Sequence, residues 1–95
     1  MTARPALEKL EGFISELAKI ASITDPLEQA KELRAIDRRA RAVIGRAGDE
    51  AVFLAANELV GTRRRTHQEV AEVLGVQTSR VSNAISDYRS WVASR

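Results

Sequence analysis

Residues 62–85 read TRRRTHQEVAEVLGVQTSRVSNAI, and this stretch decides the fold. Thr66, followed three residues later by Glu69, has the spacing of a capping box and predicts a short helix over about residues 66–74. Gly75 stops that helix at a position where the turn needs a positive φ, which costs little only for glycine. A second helix is predicted to begin near residue 78 or 79 and to reach about residue 92.

The apolar residues of this stretch have the spacing of two helices that cross at a steep angle: Val70, Leu74, Val76, Val81 and Ala84. Ala71 is small where the second helix must pass closely. Tyr88 and Val92 extend the inner face of the second helix, with Trp91 beside it. Two short helices joined by a tight glycine turn are typical of a helix-turn-helix.

Helix signals also dominate the chain before this stretch, whereas strand signals are nearly absent. We predict a first helix over about residues 5–21 and a second over about 26–44, with Asp25 as the cap of the second and Pro26 in its first turn. Apolar residues spaced three and four apart give each helix a stripe that suits packing against another helix. The stripes are Leu7, Leu10, Ile14 and Leu17, and Leu33, Ile36, Ala40 and Val43.

Two glycines, Gly45 and Gly48, predict a break before a third helix over about residues 49–60, which Gly61 would end. The alternative is one continuous helix over residues 26–60. It is disfavoured because each glycine inside a helix costs roughly 0.8 to 1 kcal/mol relative to alanine.

The predicted fold class is therefore all-α, with five helices. Residues 1–45 form a helical hairpin that we expect to serve dimerisation, and residues 46–95 form the helix-turn-helix domain. A chain of 95 residues has a thin stability margin, for which oligomerisation is a common remedy.

Charge is distributed unevenly along the chain, whose net formal charge is +2. Residues 1–32 carry four Lys or Arg against six Asp or Glu, whereas residues 33–95 carry eleven against seven. This asymmetry favours a basic working half and another role for the first half. The alternative is that these charges only solvate helix faces.

Cysteine is absent, which excludes disulfides, thiolate zinc sites and a cysteine nucleophile. With one histidine, His67, and scattered carboxylates, the sequence predicts neither a metal site nor a cofactor, and we expect that the chain is not an enzyme. The longest apolar run, AVFLAA at 51–56, is too short to span a bilayer. Because MTARPALEKLEG lacks the apolar core of a signal peptide, we expect a cytoplasmic, nucleoid-associated protein.

The segment THQEVAEVLGVQTSRVSNAI resembles the N-terminal DNA-binding element of lactose-repressor-type regulators. The matching residues are Thr66, Glu69, Val70-Ala71-Glu72, Gly75-Val76 and Val81-Ser82. It is equally similar to the last helical region of bacterial sigma factors, where EVLGV followed by Arg80-Val81 recurs. The resemblance covers under a third of the chain. We expect neither a sugar-binding domain nor promoter-opening regions within these 95 residues.

The resemblance implies that the second helix enters the major groove of double-stranded DNA and contacts base edges with its N-terminal residues. The residues at that end are Gln77, Thr78, Ser79, Arg80 and Asn83. Thr78, Ser79 and Asn83 match the base-reading positions of the lactose-repressor type. Asparagine suits adenine, arginine suits guanine, and serine or threonine adapt to several edges.

We expect the phosphate backbone to be contacted at the start of the first helix of the motif, where free N–H groups and the helix dipole favour an anion. The predicted phosphate-binding residues are Arg63, Arg64, Arg65, Thr66, His67 and Ser82. The alternatives are that Thr66 is only a helix cap, that the three arginines form a solvated loop, and that His67 is an exposed first-turn residue.

Other roles are also open for the predicted base-reading residues and for the aromatic residues. In the alternative interpretation, Asn83 is an exposed residue without a role, and Arg80 pairs with Glu72 or Asp87. We expect Tyr88 and Trp91 to belong to the core or to an interface rather than to stack on bases.

One helix-turn-helix reads only a few base pairs, so most such proteins bind as dimers. We predict a two-fold homodimer with an interface at Leu7, Leu10, Ile14, Leu17, Leu33 and Ile36. Alternatively, these helices complete a monomeric fold or bind another protein, and the arginines from Arg34 to Arg41 contact flanking DNA.

The function expected from the sequence is that of a bacterial transcriptional regulator, with steric repression as the simplest mechanism. The alternatives are a sigma-like adaptor that binds a protein such as RNA polymerase, and a plasmid or phage partition or architectural factor. No small-molecule substrate is evident.

Overall fold

The computed structural model of the chain describes residues 3–95, which form four helices and one short hairpin. The helices are α1 (Pro5–Ala21), α2 (Pro26–Asn57), α3 (His67–Leu74) and α4 (Thr78–Ala93), and the strands are β1 (Leu59–Val60) and β2 (Arg63–Arg64). The chain divides into an N-terminal unit, Met1–Ala47, and a C-terminal unit, Gly48–Arg95. No helix of the described part combines the length and apolar character needed to cross a membrane. The mostly helical fold agrees with the predicted class, but the count of five helices does not.

The predicted break at the two glycines is wrong, because α2 is one helix of 32 residues. Gly45 and Gly48 lie inside it, and a Cβ atom at either position would meet nothing within 4 Å. Their cost in helix propensity is a weak local effect. Ending the helix there would leave backbone N–H and C=O groups without partners, and starting another would need a new nucleus.

A small hairpin replaces the end of the predicted third helix. The helix ends at Asn57, and β1 pairs with β2 in antiparallel register, with Val60 opposite Arg63. Gly61 has φ 67° and is the first of the two turn residues, so it turns a hairpin instead of ending a helix. Strands of two residues are too short to show the alternation by which sequence reveals a strand.

Hydrogen bonds and an ion pair join α1 to α2 within the N-terminal unit. Asp25 caps α2 as predicted, because its Oδ2 accepts a backbone N–H from the first turn at 3.3 Å. The side-chain Nε2 of Gln29 donates to the carbonyl of Ile20 at 3.2 Å. Arg39 Nη2 lies 3.0 Å from Glu16 Oε2. These contacts place α1 beside the first part of α2, which continues beyond the predicted end at residue 44.

One apolar cluster holds the three helical segments of the C-terminal unit together. Its buried members come from α2, α3 and α4: Ala56, Val70, Ala71, Val81 and Ile85. Val52 and Phe53 pack against them. Because α3 and α4 both contribute to this cluster, it fixes their relative position and therefore the direction of α4.

Candidate nucleic-acid interface

The turn between α3 and α4 has the geometry that the sequence predicts. Gly75 has φ 69°, and its N–H donates to the carbonyl of Glu72 at 3.3 Å. The N–H of Val76 donates to the carbonyl of Ala71 at 3.0 Å. These two bonds form a Schellman motif, in which a left-handed residue satisfies the last carbonyls of a helix. The chain therefore leaves α3 in a fixed direction, and α4 starts after two more residues.

The packing of the motif follows the predicted pattern in part. Val70, Ala71 and Val81 are buried, so the predicted contact between the two helices is present. Leu74 and Val76 differ from the prediction, because both side chains are exposed. Their spacing alone could not show this, since burial depends on which neighbouring elements cover each face.

The N-terminal end of α4 presents a row of exposed polar side chains: Gln77, Thr78, Ser79, Arg80 and Asn83. Across residues 3–95 none of these five side chains forms a hydrogen bond or an ion pair. The alternative in which Arg80 pairs with Glu72 or Asp87 is therefore not what the structure has. The donors and acceptors of this row are available to a ligand.

Two of the three consecutive arginines are engaged within the protein. Arg63 forms a bidentate pair with Glu69, with Nη1 to Oε1 at 2.7 Å and Nη2 to Oε2 at 3.2 Å. Arg65 Nη1 donates to the carbonyl of Ala55 and to Glu58 Oε2, each at 3.1 Å. Arg64 is exposed and takes part in no ion pair of the described chain. Of the three predicted phosphate-binding arginines, Arg64 is thus the one whose guanidinium has no carboxylate partner within residues 3–95.

The Arg63–Glu69 pair changes the proton affinity of both groups. The hydrogen bond from Arg63, with a further one from the backbone N–H of Thr66, lowers the pKa of Glu69 to about 2. The hydrogen bond to Glu69 and its charge raise the pKa of Arg63. Both groups are therefore charged at neutral pH, and the negative charge of Glu69 is balanced where a polyanion is expected to approach.

The start of α3 has the predicted capping box. The Glu69 N–H donates to Thr66 Oγ1 at 3.1 Å, and the Thr66 N–H donates to Glu69 Oε1 at 3.2 Å. Thr66 is thus a cap. His67 Nδ1 lies at hydrogen-bond distance, 2.9 Å, from Ser82 Oγ, which joins α3 to α4. Two predicted phosphate-binding residues are therefore adjacent in space.

Tyr88 belongs to the interior of the unit, as expected, whereas Phe53 and Trp91 are half-buried. Tyr88 is buried and its ring centroid lies 5.2 Å from that of Phe53 and 5.9 Å from that of Trp91. The Tyr88 hydroxyl donates to Oε2 of the fully buried Glu50 at 3.0 Å. The sequence did not single out Glu50, because its buried carboxylate looks the same in sequence as the exposed ones.

The predicted dimer residues of the N-terminal unit differ in exposure. Ile14 is 67 % exposed, and Leu17 and Leu33 are also exposed. Leu7 and Leu10 are half-buried. Ile36 is only 3 % exposed, so it contributes to the interior of its own chain and offers little surface to a partner. The exposed members are the ones that another chain could cover.

Comparison of this chain with protein-family models, with curated proteins and with solved structures finds no match. Within residues 3–95, no three His, Asp or Glu side chains gather as a metal site would require. The helix-turn-helix formed by α3 and α4 is the feature of the described residues with the most definite geometry.

Proposed function

We propose that this chain is a sequence-specific double-stranded DNA-binding protein and a transcriptional regulator. One observation carries the proposal: the row of exposed polar side chains without partners at the start of α4, Gln77 to Arg80 and Asn83. A packed core and a Schellman turn hold this row in place. In helix-turn-helix proteins this end of the second helix lies in the major groove and contacts base edges.

The chemistry of the row suits base edges. Asn83 can pair in a bidentate way with adenine, and Arg80 can do so with guanine. Thr78 and Ser79 can each donate or accept a hydrogen bond, so they adapt to several bases. Arg64 supplies a phosphate contact, because its guanidinium is exposed and uncommitted. Arg63 and Arg65 are paired with Glu69 and Glu58 in the absence of DNA.

The exposed apolar side chains of the N-terminal unit favour a homodimer. Ile14, Leu17 and Leu33 lie at the surface, where contact with a second copy would remove them from water. A dimer would place two recognition helices about 34 Å apart on successive major grooves. Occupation of a two-part site near a promoter in the bacterial nucleoid would then block transcription by steric repression.

Selection of bound duplexes from a random pool, at about 150 mM salt, tests this proposal. We expect enrichment of an inverted repeat with half-sites about 10 base pairs apart, as two-fold major-groove binding requires. An enriched single half-site would support DNA reading by a monomer and contradict the dimer. A pool that stays random after selection would contradict sequence-specific binding.

Variants of the exposed row test which residues read bases. Asn83→Ala and Ser79→Ala should each relax the selected sequence at single positions, with a loss of about 1 to 3 kcal/mol of discrimination where the pair is bidentate. Ser86→Ala, further along α4 and also exposed, is the matched control and should leave the sequence unchanged. An unchanged sequence with both Asn83→Ala and Ser79→Ala would contradict this placement of α4.

A second candidate function is that of a helical adaptor that binds a protein such as RNA polymerase. The observation that favours it is an apolar groove beside α3, lined by residues such as Ala51, Ala55 and Leu74. Val73 at this groove is 86 % exposed. Weak binding to all duplexes alike, together with binding to purified polymerase, would support the adaptor over the regulator.

A further inference from the structure

The carboxylate of Glu69 is the point at which the hairpin and α3 are joined. From the hairpin, Arg63 donates to both carboxylate oxygens, at 2.7 and 3.2 Å. From the start of α3, the backbone N–H and the hydroxyl of Thr66 both donate to Oε1 at 3.2 Å. Four donors thus converge on one side chain, and they come from β2 and from the residue that caps the next helix.

Arg63 extends this network to its neighbour. Its Nη1, which donates to Glu69, also donates to the backbone carbonyl of Arg64 at 3.1 Å. Arg63 and Arg64 are consecutive in β2, so their side chains leave the strand on opposite faces. Arg63 is directed toward Glu69, and Arg64 projects away from it with its guanidinium uncommitted.

We propose that Glu69 is a positioning residue for DNA binding, because it acts through Arg63 to fix the backbone from which Arg64 reaches a phosphate. This inference rests on the proposed function. A bidentate pair between arginine and a carboxylate constrains direction as well as distance. A side chain that starts from a fixed backbone has less freedom to lose when it binds. In this proposal, Arg63 and Arg65 hold the backbone through their ion pairs, and Arg64 contacts the phosphate.

A simpler role for Glu69 leads to the opposite expectation. If Glu69 only neutralises Arg63, its removal adds a free cation beside the DNA. Affinity would then rise, and the slope of log affinity against log salt would steepen by about 0.9 for one more phosphate contact. If Glu69 positions Arg64, removal of Glu69 lowers affinity although it also removes a negative charge.

A double-mutant cycle on the full chain separates the two roles. The probe is a labelled duplex that contains the selected sequence, or a mixed-sequence duplex if selection enriches none. The variants are Glu69→Gln, Arg64→Ala and the two combined. Glutamine keeps the capping box with Thr66, so α3 keeps its start while the charged pair with Arg63 is lost. Glu72→Gln removes the same charge from the exposed face of α3 and is the matched control.

We expect Glu69→Gln to weaken binding several-fold and Glu72→Gln to leave it unchanged or slightly tighter. The effect of Arg64→Ala should be at least about threefold smaller in the Glu69→Gln protein than in the original protein, because coupled residues are not additive. Arg63→Lys, which keeps the charge but loses the bidentate geometry, should weaken binding in the same way. Arg63→Lys changes the arginine of the Arg63–Glu69 pair, whereas Glu69→Gln changes its carboxylate.

An additive cycle, or tighter binding by Glu69→Gln with a steeper salt dependence, would overturn the positioning role. Either result leaves the proposed function intact, because the selected sequence is unaffected. Failure of the original protein to bind any duplex would overturn the proposed function and this inference together. The two failures are therefore distinguishable.

Discussion

The two compact units differ in how they cover their apolar side chains. The C-terminal unit has a contiguous buried cluster, to which α2, α3 and α4 contribute Ala56, Val70, Ala71, Val81 and Ile85. In the N-terminal unit, Ile20 and Ile36 are the large buried side chains. Ile14, Leu17 and Leu33 remain exposed there. The C-terminal unit thus has a core of its own, and both units also expose large apolar side chains, such as Ile14 in the first and Val73 in the second.

The buried cluster of the C-terminal unit agrees with the role proposed for that unit. A unit with a closed core can hold side chains in fixed positions, as reading of base edges requires. A pair of helices buries one face of each helix, so the remaining apolar stripe stays in water until a partner covers it.

The largest effect is expected from Ile85→Ala in the closed core. Removal of a buried isoleucine side chain should lower the free energy of unfolding by about 2 to 5 kcal/mol, through lost burial and the cavity left behind. Val73→Ala on exposed α3 is the control and should change it by less than about 0.5 kcal/mol. Urea denaturation measures both, and equal losses would show that the cluster is not the main source of stability.

The next largest effect concerns the exposed stripe of α1. Ile14→Glu should weaken self-association at least tenfold, or by about 1.4 kcal/mol, because it places a charge where the partner's apolar surface would lie. Ser15→Glu, one residue along and also exposed, is the control. Sedimentation equilibrium measures both variants. A monomeric original protein, or unchanged association by Ile14→Glu, would contradict the proposed dimer.

Replacement of a glycine by alanine should change stability in opposite directions in the two units. Gly45→Ala should stabilise α2 by roughly 0.8 to 1 kcal/mol, because the position is helical and a Cβ atom meets nothing there. Gly75→Ala should destabilise the protein by roughly 1 to 2 kcal/mol, because φ is 69°. Thermal denaturation measures both changes: the melting temperature should rise for Gly45→Ala and fall for Gly75→Ala. A loss with Gly45→Ala would show that α2 does not pass through this position as a regular helix.

The smallest effect is a pH dependence that belongs to the C-terminal unit. The pKa of Glu69 is lowered from 4.5 to about 2, so between these values the unfolded chain binds the proton more strongly than the folded chain. The stabilisation by the Arg63 pair is therefore complete above about pH 4.5 and is lost as pH falls toward 2. It should be small, because the pair is exposed and screened by salt.

Urea midpoints at pH 5 and pH 3 measure this dependence as a difference between proteins. Glu69→Gln should lose less stability between the two pH values than the original protein does, since its amide does not titrate. Glu72→Gln is the control for removal of a carboxylate from the same helix. Parallel pH dependence in the original protein and Glu69→Gln would contradict the lowered pKa.

The helix-turn-helix could be predicted from sequence because its signals are local. A capping box spans four residues, and Gly75 sets the turn by its own φ, so neither depends on distant parts of the chain. The break at Gly45 and Gly48 was predicted wrongly for the same reason. A local preference against glycine was weighed without the cost of ending one helix and starting another.

The candidate site could be predicted in part. The polar row at the start of α4 follows from the position of its residues in the motif. The ion pairs of Arg63 with Glu69 and of Arg65 with Glu58 could not be predicted, because they depend on a hairpin whose two-residue strands have no recognisable sequence pattern. The exposure of Leu74 likewise depends on what lies beside α3. The base-reading and phosphate-binding roles themselves stay predictions.

The continuity of α2 limits how this chain can be divided or recombined. The boundary between the units, after Ala47, falls inside the helix. A protease cut or a gene fusion at that point would leave four N–H groups on one piece and four carbonyls on the other without their helical partners. The natural start of the helix, where Asp25 provides a cap, lies far upstream. A transplant of the helix-turn-helix to another protein should therefore carry α2 together with its cap, from Asp25 onward.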